Sequence, residues 1–263
     1  MEIAGWIMAL VIGLTLGLLG GGGSILTVPV LVYLFALDSV MATAYSLFIV
    51  GLASLFGAFG YWKKNLVDLK IVAAFGATSI AAVYLARSII VPAIPDELLP
   101  LGDFIVTRDM AIMVLFALLM LAASVSMIKE RTVVAGQVDK PIYNYPILLL
   151  QGFVIGILVG LVGAGGGFLI VPALVLVSKL PIRSAVGTSL SIIAVNSLVG
   201  FLGDVLQRTM DWEFLLSFSA LAVAGIFVGT KLTTVIPKQK LKLAFGWFVL
   251  IMGLYILGKE ILF

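Results

Sequence analysis

Long apolar runs, parted by short polar stretches, make up almost the whole chain. Each is read as a helix, because crossing a hydrocarbon core takes about 20 helical residues. The runs fall into two groups of five. Residues 3–19, 24–37, 39–62, 70–88 and 109–128 form the first group, and 146–162, 167–178, 183–203, 212–231 and 242–258 the second. Between Arg87 and Arg108, Pro92, Pro95 and Pro100 deny the chain a regular helix. The polar stretch 129–145 joins the groups. It sets the boundary between an N-terminal repeat, 1–135, and a C-terminal repeat, 136–263, of one integrated membrane domain.

The two groups are copies of one pattern. At an offset of 143 residues, Gly13, Gly17, Gly20, Gly22, Gly23 and Pro29 fall on Gly156, Gly160, Gly163, Gly165, Gly166 and Pro172. The register then holds through Ala42/Ala185, Ser46/Ser189, Ser54/Ser197, Gly57/Gly200, Gly60/Gly203 and Asp68/Asp211. Unrelated apolar sequence does not keep so many Gly, Ser, Pro and Asp matches in step.

Composition agrees with the membrane reading: 62% of the 263 residues are hydrophobic, 11% charged, and mean hydropathy is +1.26. A soluble domain carries roughly a quarter charged residues. The chain has no Cys and no His, which removes disulfides, thiolate nucleophiles, Cys/His metal sites and imidazole relays. The apolar run from Ile3 lacks the basic start of a signal peptide and has a counterpart in the second half, so it is expected to be retained.

Segment 24–37 is about 20 Å long as a helix, too short to cross the core upright. Either the glycine turn before it reverses the chain, or the helix passes straight on, broken. Reversal gives each half an odd number of crossings. It gathers Lys63, Lys64, Lys70, Lys129, Arg131, Lys140, Lys179, Arg183, Lys231, Lys238, Lys240 and Lys242 on one side, twelve of the sixteen basic residues. The other side then holds Arg87, Arg108, Arg208 and Lys259 with ten of the thirteen acids, whereas a straight passage divides the basic residues eight and eight. The positive-inside rule selects reversal. The expected fold is therefore an all-α polytopic membrane protein of two inverted-topology repeats. Each has a Gly-interrupted hairpin, re-entrant or broken, followed by three transmembrane helices. Both termini are expected on the non-cytoplasmic side of the membrane, with one glycine hairpin entering from each face.

The glycine runs are where chemistry is expected. Glycine permits a tight reversal and a close ligand, and the helix that follows presents unpaired N–H groups and the positive end of its dipole. Two such ends meeting at mid-depth would hold a small anion without a full positive charge. Gly20, Gly21, Gly22, Gly23 and Ser24 form the first candidate cradle, and Gly163, Gly165, Gly166 and Gly167 the second. Tyr45, Ser46, Thr188, Ser189 and Asn196 offer polar groups from the third segments. Gly13, Gly17, Gly156 and Gly160 read instead as helix-packing positions. Arg87 and Lys231, which close corresponding helices, read as snorkelling interfacial charges, and Asp204 is the acid nearest the membrane interior.

Gly17-Leu-Leu-Gly20-Gly-Gly-Gly-Ser24 with Val28-Pro29, and Gly160-Leu-Val-Gly163-Ala-Gly-Gly-Gly167 with Val171-Pro172, resemble the doubled motif of the sulfite exporter TauE/SafE family. Ala185-Val-Gly-Thr-Ser189 also resembles that family's A-x-G-T-S segment, and the resemblance covers essentially the whole chain. It implies an inner-membrane permease for sulfite, sulfoacetate or other organosulfonates. Ala44-Tyr-Ser46 stands where the second repeat has Gly187-Thr-Ser189, so the half-sites are expected to contribute unequally.

These features point to a secondary transporter with a small anionic substrate and a coupling ion, H+ or Na+, in a lipid bilayer. No cofactor, metal or nucleic acid is implied, and oligomeric state is left open. A passive anion channel of the same architecture is the alternative. An intramembrane enzyme is disfavoured by the missing His and Cys and by the lack of paired carboxylates within the spans. Because the chain has no cysteine, topology can be read with single introduced thiols. In intact cells a membrane-impermeant maleimide is expected to label Glu97→Cys at once and Lys64→Cys only after permeabilisation. The opposite pattern would refute the orientation.

Overall fold

A computed structural model describes residues 2–101, 104–129, 143–232 and 238–262. The first half runs through α1 (Glu2–Leu19), a 3-10 turn (Gly22–Leu26), α2 (Thr27–Phe35), α3 (Ser39–Trp62) and α4 (Leu69–Leu85). A π turn, Ala86–Ile90, carries α4 into a last short turn, α5 (Val91–Ala93). An antiparallel pair, β1 (Glu97–Leu101) and β2 (Phe104–Thr107), then leads to α6 (Arg108–Lys129). The second half holds α7 (Tyr145–Val162), α8 (Gly167–Val177), α9 (Ile182–Val205), α10 (Trp212–Leu232) and α11 (Lys238–Leu262). Among the described residues six helices are long and apolar enough to cross a membrane, which makes this an all-α polytopic membrane protein. The 135/136 boundary, with Arg131 and Lys140, lies outside the described residues.

The helix ends explain several of the repeated polar residues. Asp68 caps α4, its carboxylate accepting the N–H groups of Lys70 and Ile71 at 3.0 and 3.1 Å. Its repeat partner Asp211 accepts the N–H of Phe214 at 3.0 Å, ahead of α10. Asp38 does the same for α3 through Met41, at 2.8 Å. Each satisfies donors that the first helical turn leaves unpaired.

Two expectations are corrected. Residues 24–37 are not one helix, since the 3-10 turn precedes α2 and the left-handed Ala36 ends it. The fourth segment also does not stop at residue 88 but continues as helix to Ala93. Pro92 lies inside this continuous run, where its missing N–H removes one helical hydrogen bond beside the π turn. The N–H of Val91 reaches back to the Ala86 carbonyl, which is the wider π spacing. Residues Glu97–Leu101 and Phe104–Thr107, expected only to be non-helical, pair as two short antiparallel strands.

The halves exchange helices. α1 packs along α10 and α7 along α4, while α3 lies against α9 and α6 against α11. Glycine makes the first two pairings possible. A Cβ on Gly13 would fall on the Ala222 carbonyl, and one on Gly17 would meet Ile226 and Gly229. One on Gly156 would meet Ser79 and Ala82, and one on Gly160 would meet Val83 and Ala86. These are the same contacts moved by the repeat offset, and in both pairs the helices run parallel. In contrast α3 and α9 run antiparallel, since Phe48 meets Phe201, Gly51 meets Leu198 and Gly57 meets Leu190. The centre of the core is this crossing.

The close approaches can be tested by adding a methyl group. Gly13→Ala and Gly156→Ala are each expected to lower thermal stability in detergent, by about 1–3 kcal/mol of overpacking. Gly76→Ala, where nothing lies within 4 Å of the added atom, is expected to be neutral or stabilising. Equal behaviour of all three would refute the packing account.

Candidate functional site: two glycine turns between α3 and α9

The chain doubles back at each glycine run. After α1, Gly20 and Gly21 take left-handed φ values of 66° and 111°. Gly23 then lies against Thr15 and Leu16, and Phe35 at the far end of α2 reaches Gly5 and Trp6 near the start of α1. In the second half Gly163, Gly165 and Gly166 have φ of 68°, 66° and 72°. An L residue takes such angles only at a cost, so glycine is required here by conformation.

The turns overlap. Gly20 rests on Val186 near the start of α9, and Gly163 rests on Thr43 near the start of α3, two contacts related by the repeat offset. Each apex has therefore passed the middle of the α3–α9 crossing. The returning segments meet at that middle: a Cβ on Gly167 would fall on the backbone of Gly21, and Gly165 lies against Val50 and Ile193. Gly21 and Gly166 are the N-caps of the segments that follow, and neither receives a side-chain cap. Two helix N-termini whose glycine caps offer no side-chain acceptor are thus brought side by side, inside protein, at mid-length of the core pair.

The polar candidates divide by what they already bind. Tyr45 Oη accepts the N–H of Asp211 at 2.8 Å, and Thr188 Oγ1 accepts the N–H of Asp68 at 2.9 Å. These are repeat-equivalent bonds, each tying one half's third helix to the capped start of a helix in the other half. Ser189 Oγ donates to the carbonyls of Val186 and Gly20, at 2.9 and 3.0 Å, which anchors the first turn to α9. Ser24 Oγ donates to the Gly21 carbonyl at 2.7 Å. Gly22 begins the 3-10 turn. Ser46 is fully buried, its hydroxyl without a partner among the described residues. Asn196 is fully buried too, its amide N–H donating to Ser79 Oγ while Oδ1 has no partner among the described residues. It borders an apolar groove between α4 and α9, lined by Val72, Gly76, Ile80, Ile192 and Val195.

One residue was misread from the sequence. Arg87 does not snorkel: its side chain is fully buried, its Nε lies 3.5 Å from Asp204 Oδ2, and a Cβ on Gly163 would meet its Nη2. The signal was present in the sequence, because the apolar run continues past Arg87 through Ser-Ile-Ile-Val-Pro-Ala. Helix continuing to Ala93 puts Arg87 about 9 Å inside the end of the span.

Among the described residues, six membrane-length helices packed around two glycine turns define a polytopic membrane protein. The chain belongs to the sulfite exporter TauE/SafE family, whose model matches residues 6–256. It is similar to a probable membrane transporter protein of Xylella fastidiosa strain 9a5c, 28% identical over 264 residues, covering 95% of this chain and 92% of that one. It is also similar to the probable membrane transporter protein YdhB of Bacillus subtilis strain 168, 26% identical with 94% and 96% covered. The probable membrane transporter protein YunE of the same organism is 27% identical, with 89% and 87% covered. No solved structure is a significant match.

The paired bonds from Tyr45 and Thr188 predict matched losses. Tyr45→Phe and Thr188→Val each strand a backbone N–H, at an expected cost of about 1–3 kcal/mol, seen as a lower melting temperature in detergent. No change in either variant would remove these hydroxyls from the account of how the halves are held.

Proposed function

We propose that this chain carries small sulfur-containing anions (sulfite, a sulfonate or a related organosulfur anion) across the inner membrane by alternating access. The anion sits between the two glycine turns. The N–H groups behind Gly20–Gly23 and Gly163–Gly167 face its oxygens, with Ser46, Ser189 and Asn196 beside them. Tyr45 and Thr188 hold the walls. The observation that carries the reading is the contact of Gly21 with Gly167, which joins two uncapped helix N-termini away from lipid. The substrate class is supported by the description of the family.

In this reading the halves are inverted, and the termini face away from the cytoplasm. Support comes from the antiparallel contacts of α3 with α9 and from the repeat-related exchange of α1 and α7. Helices that match in sequence but run in opposite directions require a two-fold axis across them. Inverted repeats with interrupted helices are a recurring transporter plan. A passive channel would need a continuous opening, and the touching turns favour a carrier in which one half moves against the other.

Purified protein in liposomes is expected to take up radiolabelled sulfite above the rate of empty vesicles. Gly21→Leu and Gly165→Leu are expected to abolish that uptake, since each adds a side chain at a left-handed position already filled by Gly167 or Val50. Gly76→Ala serves as the tolerant control. Native uptake in both leucine variants would remove the glycine turns from the pathway.

A further inference from the structure

Arg87 and Asp204 form a pair that is poorly built for structure alone. Both side chains are buried, with exposures of 0% and 4%, yet a single 3.5 Å approach links them. Among the described residues no hydrogen bond satisfies Nε, Nη1 or Nη2 of Arg87, or Oδ2 of Asp204. A buried ion pair compensates its desolvation only when its geometry and remaining donors are well met. The surroundings hold the guanidinium in place. Gly203 lets α9 pass the Arg87 Cβ, Thr43 of α3 and Gly163 of the second turn flank Nη2, and the π turn carries the residue itself. Repeat symmetry does not demand any of this, since the equivalent positions are Thr230 and Tyr61.

A guanidinium presents five N–H donors in a planar fork, and its Nη edge matches two oxygens of an oxyanion. That edge lies at the apex of the second glycine turn. We propose that Arg87 is the charged partner of the transported anion and Asp204 its resident counterion, so that anion and proton travel together. This rests on the carrier reading above.

The charges balance as follows. When an oxyanion docks on the Nη edge, one positive charge is shared between two negative groups. A buried carboxylate that loses its cation is costly as an ion. Asp204 therefore takes one proton from water on the side to which the site is open, forming an O–H bond. After the access switches and the anion leaves, Arg87 pairs with Asp204 again and the proton departs to the second side. One monovalent anion and one proton cross with no net charge moved. Among the described residues, Arg208, just beyond α9, is the other charged group acting on the pair, and its positive charge adds to the attraction for the anion. The residues contributed by α3 and α7, Thr43 and Gly163, carry no charge.

The test compares full-length native protein, Asp204→Asn and Arg87→Gln in liposomes, with membrane potential clamped and radiolabelled sulfite as the probe. Uptake is measured with and without an acid-outside gradient, and binding is measured in detergent. Sulfite's own titration is common to all samples, so a difference between them belongs to the protein. Native uptake is expected to rise several-fold with the gradient. Asp204→Asn, at whatever rate it transports, is expected to lose that response, which a purely structural ion pair would not control. Arg87→Gln is expected to bind sulfite about tenfold or more weakly. If Asp204→Asn does not fold, the Arg87→Gln/Asp204→Asn double variant, which removes both charges, carries the test, and gradient-driven uptake by it would overturn the proposal. So would a native-like gradient response in Asp204→Asn, or native affinity in Arg87→Gln. No uptake by native protein would overturn the carrier reading itself, and this one with it.

Discussion

Helices in hydrocarbon gain little from burying apolar side chains against each other, because lipid is as apolar as leucine; they associate where their backbones can come close. Gly13 and Gly17 on α1, and Gly156 and Gly160 on α7, supply that closeness, and each helix uses it on a partner from the opposite half. The remaining arrangement follows from this exchange. With α1 bound along α10 and α7 along α4, the two hairpins are carried into the centre from opposite ends of the α3–α9 crossing. Their glycine turns have nowhere to go except past each other. Backbone that is neither helix nor sheet survives at that depth only because protein surrounds it.

Much of this was legible in the chain. Helix positions follow from hydropathy, and the ends of α3, α7 and α10 fall within a residue or two of the expected ones. The repeat offset located Asp68 and Asp211, although not their task, which is to cap α4 and to precede α10 as its first-turn acceptor. The doubled glycine run located both turns. What one sequence could not supply was depth. It gives no sign that Gly20 and Gly163 pass the middle of the core before the chain returns, since that depends on how far α1 and α7 slide along their partners.

Side-chain roles were harder to read than helix positions. Tyr45 and Thr188 occupy equivalent places and were grouped as ligand-facing hydroxyls. In the structure both are acceptors for a neighbouring backbone N–H, a use that any hydroxyl of suitable reach can serve and that residue type alone does not mark. Arg87 was misjudged because Pro92 was taken to end the helix near it. The π turn moves that end to Ala93 and draws the guanidinium into the interior. A helix that runs on past Pro92 turns the expected interfacial charge into a buried one.

The pairing of Arg87 with Asp204 at one end of the fold, where the other end has Thr230 and Tyr61, has an energetic consequence. A carrier built from two identical inverted halves would rest equally in its two end states, since each would be the other turned over. A buried ion pair at one end, where the repeat-related positions hold Thr230 and Tyr61, would lift that degeneracy. Such a carrier would have a preferred resting posture, set before any gradient is applied, and when empty it would wait for its cargo on one side of the membrane.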